Sequence, residues 1–272
     1  MSEGRFELKY ALPLDRRAEL LERAGAHVRA DAHAASLERA LPGILLPDGA
    51  PTRGYIVHSL YLDDPQLSGY ARRLARDRIR NRMRIRTYGL PGDDAPVFLE
   101  AKRKLARRVI KHRVRVGGAL AWAEGDALRP WVDAVQRLDG EAGRAGQRWL
   151  ELAEAQHLGA VASTHYVREI FVRGTERLSI DHRVSAHPSP DPRRFQHEGP
   201  LPLIPAGWLV VELKFNGDQP LWMRELVRDM RLASEPISKF ALGVACSHRA
   251  DRPAELRSLV PPTILRTTRQ AS

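Results

Sequence analysis

Charged and apolar residues alternate one for one in four short stretches: Phe6-Glu7-Leu8-Lys9-Tyr10, Asn81 to Gly89, Phe98-Leu99-Glu100-Ala101-Lys102 and Val210-Val211-Glu212-Leu213-Lys214-Phe215. Side chains along a strand alternate faces. Each stretch therefore predicts a strand with one apolar and one charged face. In the clearest, Arg82, Arg84, Arg86 and Tyr88 share one parity, and Met83, Ile85 and Thr87 take the other. Glu-x-Lys recurs in the remaining three. A cationic face carrying one carboxylate, repeated on several strands, suits a polyanion and a metal ion.

The rest of the chain supplies further elements. Arg5–Leu12 predicts a strand and Pro13–Val28 a helix, with Leu14, Ala18, Leu21 and Ala24 near helical spacing. Residues 42–51 read as loop. Tyr55–Leu62 is β-rich and stops at Asp63-Asp64-Pro65, a turn signal. A short helix is expected over Gln66–Leu74, then strands over 80–89, 96–104 and 108–117, with a turn at 91–94. Ala119–His157 has a helical pattern, carrying Leu128, Trp131, Val132, Val135 and Leu138 on one stripe, then Trp149, Leu150 and Leu152. Strands resume at 161–173 and 176–184. Proline-rich 185–206 reads as loop and 208–215 as strand, and Pro220 opens, as its first helical residue, a helix that runs through Leu232. Ser238–Cys246 fits strand or helix. The tail from Arg249 is expected to be irregular.

About eight strands with inserted helices predict an α+β fold. A sheet exposed on both faces would not hold its charges on one parity. If the apolar parity packs outward against helices, the charged parity faces inward, and a closed antiparallel β-barrel with a polar interior satisfies both. One continuous domain over residues 1–248, followed by a tail at 249–272, is the expected organisation.

Composition sharpens the partner class. The chain has 272 residues, 43% of them hydrophobic, which is enough for a packed core. Lys plus Arg number 44 against 33 Asp plus Glu, a formal charge of +11 that favours an anionic partner. The single Cys246 excludes an intrachain disulfide and a cysteine-rich zinc cluster. With no apolar run near the ~20 residues of a membrane span and a charged N-terminus, a cytosolic location is expected. Aromatic residues make up 6% and no RNP, helix-turn-helix or zinc pattern is present, so specific nucleic-acid binding is not expected. Arg72, Arg73, Arg76, Arg78 and Arg80 fall outside a clean strand pattern and read as a surface basic patch. His58, His112, His165 and His182 lack metal-ligand spacing and read as ordinary histidines. Trp122, Trp131 and Trp149 read as core, and Cys246 as a small buried hydrophobe.

Nine short motifs in order carry a family resemblance: Arg5–Tyr10, Ser59–Asp63, Arg82–Tyr88, Leu99–Lys104, Lys111-His112-Arg113, Tyr166-Val167-Arg168, Arg177–Asp181, Glu212-Leu213-Lys214 and Ser238-Lys239-Phe240. Together they resemble the VTC domain, the polyphosphate polymerase domain of the vacuolar transporter chaperone complex and a branch of the triphosphate tunnel metalloenzymes. The resemblance implies a tunnel barrel and transfer of the terminal phosphate of ATP to a growing polyphosphate chain. Lys9, Arg84, Arg86, Lys102, Arg168, Arg177 and Lys239 are then the catalytic cations around the triphosphate. Lys111, Arg113, Lys214, Ser238 and Tyr166 are substrate-binding. Glu212, Glu7 and Glu100 are the metal candidates for Mn2+ or Mg2+, with Glu100 leaning toward a wall partner that positions a cation. The partners implied are ATP with polyphosphate or pyrophosphate, and a membrane partner protein stays open.

These residue types fit phosphoryl transfer, which asks a protein for positioning and charge neutralisation. Arg offers a planar fork and Lys a movable point charge. Two departures bear on the activity. Related triphosphatases and class IV cyclases begin Glu-x-Glu-x-Lys, whereas Arg5 takes the first position here, which favours the polymerase branch. Eukaryotic polymerases carry a further Lys just before Ser-Lys, whereas Pro236-Ile237 precede Ser238 here. Neither the SPX domain nor the membrane segments of the eukaryotic complex is present, so a stand-alone catalytic domain is expected. A triphosphatase or short-chain polyphosphatase, and a non-catalytic polyphosphate-binding module, remain as alternatives.

Overall fold

The computed structural model describes residues 5–36, 53–88, 96–105, 108–116, 129–188, 200–248 and 258–270. Its long strands are β1 (Arg5–Pro13), β2 (Arg53–Asp63), β3 (Ile79–Tyr88), β4 (Val97–Leu105), β5 (Arg108–Val116), β6 (Gly159–Arg173), β7 (Glu176–His187) and β8 (Trp208–Asn216). They form one sheet in the order β1-β8-β7-β6-β2-β3-β4-β5, antiparallel throughout. Two-residue strands at Arg29–Ala30, Ala35–Ser36 and Leu201–Pro202 extend β6, β2 and β7 respectively. The helices are α1 (Arg17–Gly25), α2 (Ser68–Leu74), α3 (Arg129–Gln136), α4 (Gly140–Ala155), α5 (Leu221–Asp229), α6 (Lys239–His248) and α7 (Pro262–Gln270).

The apolar parity faces outward, under helices, as the alternation predicts. Leu60, Leu62, Met83, Ile85, Leu99 and Val114 pack under Trp131 and Val135 of α3 and Trp149 and Leu150 of α4. Tyr10, Leu12, Leu178, Ile180, Val211 and Leu213 pack under Leu20 and Ala24 of α1 and Trp222, Met223 and Leu226 of α5. Each such large side chain, fully buried, contributes about 1.5–3 kcal/mol. An ionic clamp joins α1 to the sheet on this convex side. Arg17 Nε and Nη2 donate to the two Glu169 oxygens at 2.9 and 2.7 Å, and His182 Nε2 lies 2.5 Å from Oε1. His182 is thus part of a buried triad rather than an ordinary histidine.

The Asp63-Asp64-Pro65 signal starts α2. Asp63 accepts from the Gly69 and Tyr70 amides, each at 2.9 Å, and Asp64 from Gln66 and Ser68, each at 3.0 Å. These carboxylates satisfy the amides that a helix start leaves without partners.

Helix α6 lies on the concave side of the sheet. Its Leu242 and Cys246 meet Ala11, Val57, Tyr166, Ala186 and Val210, while Phe240, Ala241 and Val244 meet Tyr61 and Ala162. The approach is tight at Gly243, where a Cβ would stand 2.8 Å from Thr164 Cγ2 and 3.2 Å from Ala162 Cβ. Phe240, Ala241, Leu242, Val244, Ala245 and Cys246 are all buried. A helix buried all round has no amphipathic stripe, which is why the sequence leaves strand and helix equally open there.

Several expectations need correcting. The sheet is not a closed barrel: among the described residues no ladder joins its outermost strands, β1 and β5. Side chains span that seam instead, with Lys102 Nζ of β4 at 3.2 Å from Glu7 Oε2 of β1. Pro220 is the N-cap of α5 rather than its first helical residue. β7 runs on to His187, and Pro262–Gln270 of the tail is helical. The expectations for residues 42–51, 91–94 and 119–128, Trp122 included, lie outside the described residues.

Candidate functional site

Every strand residue singled out for the site carries the concave parity, and cross-strand register sorts most of them into three ionic clusters. In the first, β1 and β8 place Glu7 opposite Lys214 and Lys9 opposite Glu212. Lys9 Nζ lies 3.1 Å from Glu7 and 3.5 Å from Glu212. Lys214 Nζ contacts Glu212 and stands 3.7 Å from Glu7, and Lys102 reaches Glu7 from across the seam. Lys9 also donates to the Ile237 carbonyl at 3.2 Å. Burial and Glu212 both oppose ionisation of Glu7, yet Lys9, Lys214 and Lys102 hold its carboxyl down at about 2. Glu212 is 3% exposed. Burial resists its charge, but Lys214, Lys9, Arg168 and Lys239 keep it far below the ordinary carboxylate range.

The second cluster centres on Asp181, which is 0% exposed. Arg168, opposite it in register, donates Nε and Nη2 to its two oxygens at 2.5 and 2.7 Å. Lys239, the first residue of α6, donates at 2.5 Å and stands 4.7 Å from the Tyr166 ring centroid. Against burial, Arg168 and Lys239 bring the Asp181 carboxyl to about 2. Asp181 has no role in the sequence reading, although it lies within one of the nine motifs. Its only sequence signal is a carboxylate on the concave parity of β7.

The third cluster centres on Glu100. Arg84 lies 2.5 Å from Oε2, Lys111 2.9 Å and Arg113 3.3 Å from Oε1. Among the described residues Glu100 shares no ion-pair partner with Glu7 or Glu212. Arg86 of β3 reaches along the sheet, donating to Ser59 Oγ of β2, its register partner, and to the Tyr166 hydroxyl of β6, each at 3.0 Å. Arg177 Nε is buried and has no hydrogen-bond acceptor among the described residues. Ser238 Oγ accepts from the Ala241 amide at 3.3 Å and so caps α6.

The basic patch is divided. Arg72, Arg76 and Arg78 are exposed. Arg73 donates to the Pro236 carbonyl at 2.6 Å, and burial together with Arg82, Arg80 and Arg76 lowers its guanidinium to about 10. Arg80 shares the concave parity of β3, and Arg82 stacks over Phe240 at 5.2 Å. Cations therefore continue along β3 from Arg86 to the strand end at which α2 leads in.

Two phenols report this field. Burial would raise Tyr61, but Arg84, Arg86, Arg82 and Lys239 bring it down to about 8. Burial likewise opposes ionisation of Tyr88, and Arg86 and Arg113 bring it to about 8. An ordinary tyrosine ionises near 10. A bound polyanion favours the neutral phenol, so binding takes up protons and affinity falls as pH rises through about 8. Calorimetric titration with inorganic triphosphate from pH 7 to pH 9 checks this, with Tyr61→Phe expected to flatten the profile. Equal affinity across that range would show that no phenolate forms among these cations.

The oxygen donors suit a hard divalent cation. Glu7 and Glu212 come from neighbouring strands, are both held ionised and converge on the same two lysines. One or two carboxylates completed by substrate phosphates is the usual protein contribution to such an ion. No group of three His, Cys, Asp or Glu side chains gathers among the described residues, so phosphate oxygens would have to complete the shell.

A rolled antiparallel sheet, helix-covered outside, carries on its inner face cations interleaved with carboxylates. The VTC domain model matches residues 4–248, and the chain belongs to the VTC domain family. Several solved structures resemble it loosely. A candidate adenylate cyclase from Bacillus halodurans has 12% identity and a TM-score of 0.45, covering 87% of this chain and 95% of its own. The PH1012 protein of Pyrococcus horikoshii OT3 has 9% identity and a TM-score of 0.43, covering 86% and 96%. HpAC1 of Hippeastrum, a candidate adenylyl cyclase with a dominant triphosphatase activity, has 18% identity and a TM-score of 0.39, covering 87% and 93%. No curated protein matches the sequence. Among the described residues no helix is long and apolar enough to cross a membrane.

Proposed function

We propose that the protein is a metal-dependent polyphosphate polymerase that uses ATP. The observation that carries this reading is the run of paired cations lining one channel, next to two ionised carboxylates that share their partners. In the proposed reaction the terminal oxygen of a pyrophosphate or polyphosphate chain attacks the γ-phosphorus of ATP. The bond from that phosphorus to the β–γ bridging oxygen breaks, and ADP leaves. Arg84, Arg86 and Arg168 offer forks to non-bridging oxygens; Lys9, Lys102 and Lys239 add point charges, and Arg177 has a donor to spare. A manganese or magnesium ion on Glu212 and Glu7 would supply further charge neutralisation at the phosphoryl oxygens. In a low-dielectric channel each of these cations acts more strongly than on an open surface.

The test is incubation with ATP, a pyrophosphate primer and manganese, with products resolved on a polyphosphate-staining gel. A ladder of chains with matching ADP is the expected result. Free phosphate without chains would transfer the assignment to triphosphate hydrolysis. Neither product, with polyphosphate still bound, would leave a binding module.

A further inference from the structure

The two ends of the channel differ in chemistry. At the end where α2 leads into β3, the concave side carries Arg80 and Arg82, with Arg73 alongside. At the other, where β3 ends and β4 begins, three aromatic rings meet. Tyr55 of β2 and Tyr88 of β3 pack edge to face with centroids 5.7 Å apart, and Tyr88 and Phe98 of β4 do the same at 5.7 Å. The Arg113 guanidinium lies over Phe98 at 3.5 Å and stands 5.4 Å from the Tyr88 centroid. All three rings are part-exposed and Arg113 is exposed. Arg86 is opposite Phe98 in register and follows directly inward from Tyr88 on the same parity.

The faces of these rings are electronegative and do not bind phosphate themselves. Rings beside a guanidinium are instead what grips the face of a nucleobase. We propose that Tyr88, Phe98 and Arg113, buttressed by Tyr55, form the nucleobase subsite for the nucleoside triphosphate. The base stacks at this mouth and the phosphates run inward along Arg86 and Arg84. The inference rests on the channel taking a nucleotide. It adds a polarity: the phosphate chain occupies the arginine-lined end. The low aromatic content argues against a stacking platform only on average; here three strands bring three rings together.

Tyr55 and Tyr88 also cover the core beneath them, so bulk is kept in the variants. Dissociation constants of ATP and of inorganic triphosphate are measured by calorimetry at pH 7, where the Tyr88 phenol is neutral, and at one magnesium concentration for wild type, Tyr88→Leu, Phe98→Leu and Tyr88→Phe. Stacking on an aromatic ring corresponds to about 5- to 150-fold in affinity. Each leucine variant is expected to weaken ATP within that range while triphosphate moves less than about twofold, and Tyr88→Phe is expected to bind both as wild type. Unchanged ATP binding, or equal loss of both ligands, overturns the subsite while the channel reading stands. Failure of wild type to bind either ligand overturns both.

Discussion

Asp181→Asn lowers the melting temperature by about 6–20 °C, the largest stability effect expected in the channel. The substitution keeps the shape and removes the charge that two buried cations share. Removing one partner of a buried pair costs about 3–5 kcal/mol because the other charge is left uncompensated; for a chain of this size each kcal/mol corresponds to about 2–4 °C. Polyphosphate should restore more of the melting temperature in the variant than in wild type, since phosphate resupplies the lost anion to Arg168 and Lys239. The pH dependence has a defined sign. Asp181 and Glu7 titrate near 2 in the folded chain and near 4 when unfolded. Their contribution is complete above about pH 4 and is lost as pH falls toward 2. Asp181→Asn should therefore flatten wild-type acid destabilisation. A variant melting within about a degree of wild type would mean that Arg168 and Lys239 are already neutralised by other groups.

Glu212→Gln is expected to reduce turnover by at least about 100-fold, beyond the 10- to 100-fold typical of groups that only support a metal ligand. Triphosphate affinity in the absence of metal should hold or rise, because Lys9 and Lys214 lose a competing anion. The pairing of opposite changes is the diagnostic: a stability defect would depress both. Chain synthesis by Glu212→Gln at the wild-type rate would refute the metal assignment. Glu7→Gln is expected to lie between, since Glu7 also holds Lys102 across the seam.

What the sequence discloses here is parity. The alternation from Asn81 to Gly89 and the Glu-x-Lys strands place Arg84, Lys102 and Glu212 on one face, because a strand imposes period two on anything it carries. Closure is not encoded that way. Whether β1 meets β5 depends on tilt and stagger accumulated over the sheet, and no local pattern records it. Asp181 escaped assignment because its partners are Arg168 and Lys239, and only the folded chain reveals that a helix N-terminus arrives there. Tyr55, Tyr88 and Phe98 are unremarkable singly; their meaning is in the register of three strands. Helix α6 was ambiguous for the opposite reason, since complete burial erases periodicity.

The carboxylates inside the channel bear on how a long chain could move through it. A lining of bare cations would hold a polyanion as an ion-exchange resin does, tightly enough to arrest it. Here Lys9, Lys102, Lys214, Arg84, Arg168 and Lys239 already own internal counter-ions. Under the proposed function each incoming phosphate would take its cation from a carboxylate, and each departing one would hand it back. The net gain per contact is the small difference between two ion pairs, so no single position becomes a trap. Under the proposed function, a polyphosphate chain would be gripped at many points and still advance.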